Sequence, residues 1–209
     1  MALTDAEGRV LGCLVEKQLT TPQLYPLTDN ALIAACNQTT NRDPVVAYDV
    51  ATVRMAVRTL REKGLLRTVH RTGERSDKHQ HLLDSALTLS TGQVALLAAL
   101  LLRGPQTLAE VRAHTERLHA FDSLEDVEDA LTGLIDRVDA PVRRLERQPG
   151  LKEARYGQLL VEAEHVQVEL PPSAPTLATL SQQIALLRAE VAEVRSHVEQ
   201  LRQQGADRD

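Results

Sequence analysis

Two stretches of this chain carry the same apolar stripe, and that repetition restricts the fold more than any other feature. Val53, Ala56, Val57 and Leu60 follow the i, i+3, i+4, i+7 spacing of a helix core face, and Val127, Ala130, Leu131 and Leu134 repeat it. Asp49 and Ser123 are the matching N-caps. Each helix runs into a β-rich segment, a turn cluster and a second β-rich segment. These are Leu65–His70, 72–78 and His79–Leu83 in the first copy, and Val142–Arg147, Gln148-Pro149-Gly150 and Ala154–Val161 in the second. Two further helices precede each unit. Thr4 with Glu7, and Ser90 with Gln93, are capping boxes that open the first of them, and about 28–37 and 107–118 form the second. The order helix, helix, helix, hairpin, met twice, is that of the winged helix.

The predicted fold class is therefore mainly α with small β-hairpins (α+β): two tandem winged-helix domains at 1–86 and 87–168, a Pro-rich linker at 169–176 and a C-terminal heptad helix at 177–204. Composition agrees with small helical cores. The chain is 43% apolar but has one Phe, three Tyr and no Trp, so Leu, Val, Ile and Ala must fill its interior. So few rings also count against single-strand nucleic-acid binding, which stacks bases on aromatics. No signal-peptide pattern opens the chain, and its longest apolar run, Val94–Leu102, is too short to span a bilayer. A cytoplasmic protein that avoids membranes is expected.

The net charge of −5 is unevenly spread. Residues 1–84 hold eleven Lys and Arg against ten Asp and Glu, whereas 85–169 hold nine against fourteen. Attraction for phosphate belongs to the first unit.

Several motifs match a known family in order. They are Leu11-Gly12-Cys13-Leu14-Val15-Glu16-Lys17, Leu19-Thr20-Thr21-Pro22 with Tyr25-Pro26-Leu27, and Asn30-Ala31-Leu32 leading to Ala35-Cys36-Asn37-Gln38 and Asn41-Arg42-Asp43-Pro44-Val45. Leu101-Leu102-Arg103-Gly104-Pro105-Gln106-Thr107, Leu145-Glu146-Arg147, Pro149-Gly150 and Lys152-Glu153-Ala154-Arg155-Tyr156 continue the match. Over roughly the first 160 residues the chain resembles the YceH-like family of bacterial proteins. The resemblance implies tandem winged-helix domains and no settled activity. Asp43 and His79 depart from it, standing where Glu and Tyr are usual.

Beyond the Pro171–Pro175 linker, apolar residues alternate in steps of three and four. Leu177, Ile184, Val191 and Val198 take position a; Leu180, Leu187, Val194 and Leu201 take position d. Mostly β-branched a and mostly Leu d residues favour a parallel two-stranded coil. Glu190 and Arg195 fit g and e charges between partner helices. The expected homodimer interface is Leu180, Ile184, Leu187, Val191, Val194, Val198 and Leu201; the alternative is a helix packed on its own domain.

Double-stranded DNA is the first partner to consider. Arg54, Arg58 and Arg61 each sit about 100° around the helix from the core stripe, and guanidiniums suit phosphates and guanine edges. Arg67, Arg71, Arg75 and Lys78 add charge on the first wing, and Arg42 lies in the loop Asn37–Pro44. A solvated helix face is the plain alternative for these arginines, and turn-building for the loop's Asn and Gln. In the second copy Glu125, Asp126, Glu128 and Asp129 oppose phosphate, so that unit suits a protein partner or a structural role, although its wing carries Arg143, Arg144, Arg147, Lys152 and Arg155. A protein–protein adaptor is thus the alternative function.

Nothing in the residues points to an enzyme. His70, His79 and His81 have no cysteine near them for a zinc site, and Cys13 and Cys36 lack metal spacing. Cys36 falls on the apolar side of its helix with Leu32 and Ile33, which reads as a core thiol. No catalytic residue, cofactor site or metal site is expected.

Overall fold

A computed structural model describes residues 2–70, 76–146 and 153–162. Residues 1–164 form one compact unit. The linker at 169–176, the heptad helix at 177–204 with its dimerisation residues, and the wing positions Arg71, Arg75, Arg147 and Lys152 lie outside the described residues.

The described chain is mainly helical, with seven α-helices and two small antiparallel sheets. The first copy comprises α1 (Asp5–Thr20), β1 (Leu27–Thr28), α2 (Asp29–Cys36), α3 (Val50–Glu62), β2 (Leu66–Val69) and β3 (Lys78–His81). After the short α4 (Leu83–Leu87) come α5 (Thr91–Arg103), β4 (Gln106–Thr107), α6 (Leu108–Thr115), α7 (Leu124–Ile135), β5 (Val142–Arg144) and β6 (Arg155–Gln158). The sheets have equivalent orders, β1-β3-β2 and β4-β6-β5. Leu27 faces His79 in one, and Gln106 faces Tyr156 in the other.

The helix starts follow local chemistry. Thr4 with Glu7 and Ser90 with Gln93 form capping boxes, and Asp49 and Ser123 accept from the Thr52 and Asp126 amides. Thr28 and Thr107 play the same part for α2 and α6. Each hydroxyl satisfies a first-turn amide that otherwise lacks a partner. Ser90→Ala is expected to cost about 1 kcal/mol in chemical denaturation, with an unchanged midpoint counting against this role.

The central contact is α1 against α5. Every residue of α1 from Glu7 to Glu16 is buried, because α2 and α3 cover one side and α5 covers the other. Backbone bonds tie the chain start to the end of the second copy: the Leu3 amide donates to the Leu160 carbonyl at 2.8 Å, and the Glu162 amide to the Leu3 carbonyl at 3.0 Å. Both copies contribute to one continuous apolar cluster, from Leu11, Leu14, Leu32 and Leu60 through Leu97, Leu100, Leu131 and Leu134. Cys13 and Cys36 are buried within it, so Cys36 is the core thiol its helical position indicated.

Burial of α1 on all sides forces its charged residues to find partners. Glu7 meets the Lys63 ammonium at 2.8 and 3.0 Å. Arg9 donates through Nη2 to the Pro44 carbonyl at 2.6 Å, and Glu16 pairs with Arg42.

Candidate nucleic-acid interface

Helix α3 sorts its residues cleanly. Val53, Ala56, Val57 and Leu60 are buried, while Arg54, Met55, Arg58 and Arg61 are exposed. The apolar stripe anchors one side to the core, and the 100° step per residue turns the arginines outward.

Arg54 is held in place. Its Nε donates to Asp29 Oδ2 at 2.8 Å, and Asp29 Oδ1 accepts from His79 Nε2 at 2.7 Å. His79 Nδ1 lies 3.2 Å from the Thr68 hydroxyl. A carboxylate only accepts, so Nε2 donates to Asp29, and the Thr68 hydroxyl completes a hydrogen bond with Nδ1. The chain Thr68–His79–Asp29–Arg54 thus joins the hairpin, the start of α2 and α3. Burial pushes the Asp29 carboxyl pKa up, but the bonds and charges of His79 and Arg54 outweigh it and hold it below the usual value. The Arg54 side chain remains 65% exposed. Arg58 pairs with Glu62 at 3.1 Å across one turn, both largely exposed, a contact weak enough for a phosphate to displace. Arg61 and Arg67 are exposed on α3 and β2. Lys78 is half-buried on β3, in register between Thr28 and Val69.

Arg42 requires a correction. Expected to meet phosphate from a surface loop, it is only 6% exposed. Its guanidinium bonds Glu16 at 2.6 and 3.0 Å, the Ala35 carbonyl at 3.0 and 3.2 Å, and Gln38 at 2.9 Å. A fork with its donors committed inside the protein has none to offer a nucleic acid. Around it Asn37 and Gln38 are half-buried, whereas Thr39, Thr40, Asn41, Asp43 and Pro44 are exposed. Asn37 donates to the Tyr48 carbonyl and accepts from the Tyr48 amide, each at 2.8 Å, so its amide side chain braces the two ends of this segment.

The hairpin histidines also separate. His70 is exposed beside Asp77 at 3.0 Å, whereas His79 serves Asp29. His81 is buried, its Nδ1 accepting from the Leu83 amide at 3.2 Å, and burial lowers its pKa. Among the described residues of the hairpin, His79 and His81 are thus buried, whereas Arg67 and His70 are exposed. Among the described residues no cluster of three His, Cys, Asp or Glu is placed to hold a metal ion, and no helix is long and apolar enough to cross a membrane. In the second copy Glu125, Asp126, Glu128 and Asp129 are exposed on α7, and Arg143 and Arg144 on β5.

Sequence reasoning missed the Asp29–His79 clamp. The two residues are 50 positions apart, and the one local sign was that His79 replaces the Tyr usual in the resembling family.

Fold and surface define a mainly helical α+β protein with a repeated helix-and-hairpin unit and an arginine face on its first copy. Residues 3–151 match the family model described as "Protein of unknown function, DUF480". A UPF0502 protein of Koribacter versatilis is 45% identical over 93% of this chain and 91% of its own length. One from Pelobacter propionicus is 43% identical over 98% of both chains, and one from Klebsiella pneumoniae 40% identical over 95% of both. The chain belongs to this UPF0502/DUF480 family, the YceH-like proteins whose motifs it carries.

Proposed function

We propose that this is a non-catalytic binding protein of the cytoplasm, built from two tandem winged helices and a coiled-coil tail, whose first repeat binds double-stranded DNA as a regulator or architectural factor. The observation that carries this reading is the exposed row Arg54, Arg58 and Arg61 on α3, with Arg54 oriented by Asp29. Helix α3 would enter the major groove and the β2–β3 hairpin would meet the backbone, as in other winged helices. Arg67 and Lys78 would contribute from the hairpin, as would Arg71 and Arg75. Pairing of two copies through residues 177–204 would present two such faces to one duplex.

Titration of duplex DNA at two salt concentrations tests the proposal. Binding is expected to weaken steeply with salt, and Arg58→Ala to weaken it about tenfold, near 1.4 kcal/mol. Removing one phosphate contact lowers the salt slope by about one. Saturation at two chains per duplex is expected. Undetectable affinity at low salt, or unchanged affinity in both Arg54→Ala and Arg58→Ala, would sink the reading.

A protein–protein adaptor is the second reading, favoured by the acidic exposed face of α7. Partners from cell extract that persist after nuclease treatment, together with absent DNA binding, would establish it.

A further inference from the structure

A cavity of about 330 Å³ lies where α1, the α2–α3 loop, α5 and α6 meet. Lys17, Arg103, His114 and Arg117 line it, and Glu16 is the only acid among its lining residues. That carboxylate is already committed to Arg42 at 2.6 Å and to Lys17 at 3.4 Å. Arg103 and Arg117 have no carboxylate partner among the described residues; Arg103 donates to the Asn41 side-chain oxygen.

Helices α1, α2, α5 and α6 all end around this space, and helix C-termini carry partial negative charge. At roughly half a charge each they offset about two of the three cations Lys17, Arg103 and Arg117, which leaves a positive surplus. Their carbonyls are also engaged by the protein itself. Ala35 accepts from Arg42, Ala99 from Gln106, and Leu102 from the Asp43 amide.

The local groups feel the surplus. Burial and then the neighbouring Arg42 charge push the Arg103 pKa down, and burial with Arg103 does the same to His114. Gln106 fixes the tautomer of that ring. Its amide nitrogen donates to the Ala99 and Gly104 carbonyls at 3.1 and 3.2 Å, so its oxygen must accept from His114 Nδ1. Ala99, Leu102 and Leu118 supply an apolar wall. Convergent cations, one apolar wall and a volume at the lower end for ligand pockets together define a place for a small organic anion.

We propose that this cavity binds a metabolite-sized anion bearing carboxylate or phosphate groups, held by Lys17, Arg103 and Arg117. The site stands whether or not the first repeat binds DNA. Citrate and inorganic phosphate, each titrated against a chloride control of matched ionic strength, separate the two anion chemistries. Amide NMR shifts at Gln38, Asn41 and His114 are expected to saturate with at least one probe. Saturation by citrate alone identifies a carboxylate ligand, and saturation by phosphate alone a phosphate ester. Lys17→Gln with Arg117→Gln, where Arg117 is exposed and Lys17 half-buried with only long 3.4 Å contacts to Glu16 and Gln38, should weaken that binding at least tenfold while leaving the thermal midpoint without ligand within a few degrees. Shifts that fail to saturate with either probe, that match chloride, or that persist unchanged in the double variant would overturn the site.

Discussion

Arg42→Ala is expected to lower the unfolding free energy by about 3–5 kcal/mol, the range for breaking a buried ion pair from one side. The Arg42 side chain is wholly inaccessible to solvent. It fastens the end of α1 through Glu16, the end of α2 through the Ala35 carbonyl, and the following loop through Gln38 and the Asn41 carbonyl. Truncation removes all of these and leaves Glu16 buried, with Lys17 at 3.4 Å as its remaining counter-charge. Replacing both partners by apolar residues, Arg42→Met with Glu16→Leu, should recover much of the loss because no charge is then stranded. Denaturant unfolding followed by far-ultraviolet circular dichroism measures both, the chain having no Trp. A cost below about 1 kcal/mol for Arg42→Ala, the scale of a surface pair, would contradict this account.

The same pair sets a pH dependence. Burial raises the Glu16 pKa, but the hydrogen bond and charge of Arg42, with help from Lys17, outweigh it, so the folded-state value lies below 4.5. A carboxyl depressed on folding contributes stability that is fully present above its unfolded pKa and lost as pH falls through the folded one. Glu7, lowered by Lys63 against its own burial, acts in the same direction. The natural protein should therefore lose stability on acidification below about pH 4.5, and Arg42→Ala should lose less, since Glu16, buried with Lys17 as its one remaining counter-charge, resists ionisation.

What the sequence disclosed was local. The stripes of α3 and α7, the caps at Thr4, Asp49, Ser90 and Ser123, and the paired hairpins all declare themselves within a dozen residues, because helix and strand periodicities are short. The arginine row of α3 was legible for the same reason. Strands β1 and β4 were not: two residues give no alternation to detect. Nor was the burial of α1. Its charges Glu7, Arg9 and Glu16 imply a solvent side, yet their partners Lys63, Pro44 and Arg42 lie 56, 35 and 26 residues away. A surface cation and a buried one look alike in sequence until the partner's position is known, and nothing within the loop distinguishes Arg42 from a solvent-facing arginine. The cavity beside it was hidden for the same reason, being assembled from Lys17 on α1, Arg103 at the end of α5 and Arg117 in the turn after α6.

Gly12→Leu is expected to destabilise the protein by about 3 kcal/mol, at the upper end of ordinary overpacking costs. A Cβ at Gly12 would stand 2.8 and 2.9 Å from Leu102 Cγ and Cδ2 and 3.3 Å from Leu101 Cβ. Gly8, one turn earlier on the same face, would meet Val161 Cγ2. Small residues at this spacing let α1 approach α5 closely, and Leu102 is itself buried, so it has no room to retreat. Gly133→Ala on α7 is the control. That position is exposed, and its new Cβ would meet only the Gln93 side-chain nitrogen, at 3.1 Å. There the gain in helix propensity, up to about 1 kcal/mol, has little to oppose it, so stability should hold or rise. If Gly12→Leu unfolds at the same denaturant concentration as the natural chain, α1 and α5 do not pack as described. The cavity between the two repeats depends on that contact, since α1 carries Lys17 and α5 carries Arg103. Spreading the helices with a side chain at position 12 should therefore weaken anion binding as well as stability, whereas Gly133→Ala should leave it unchanged.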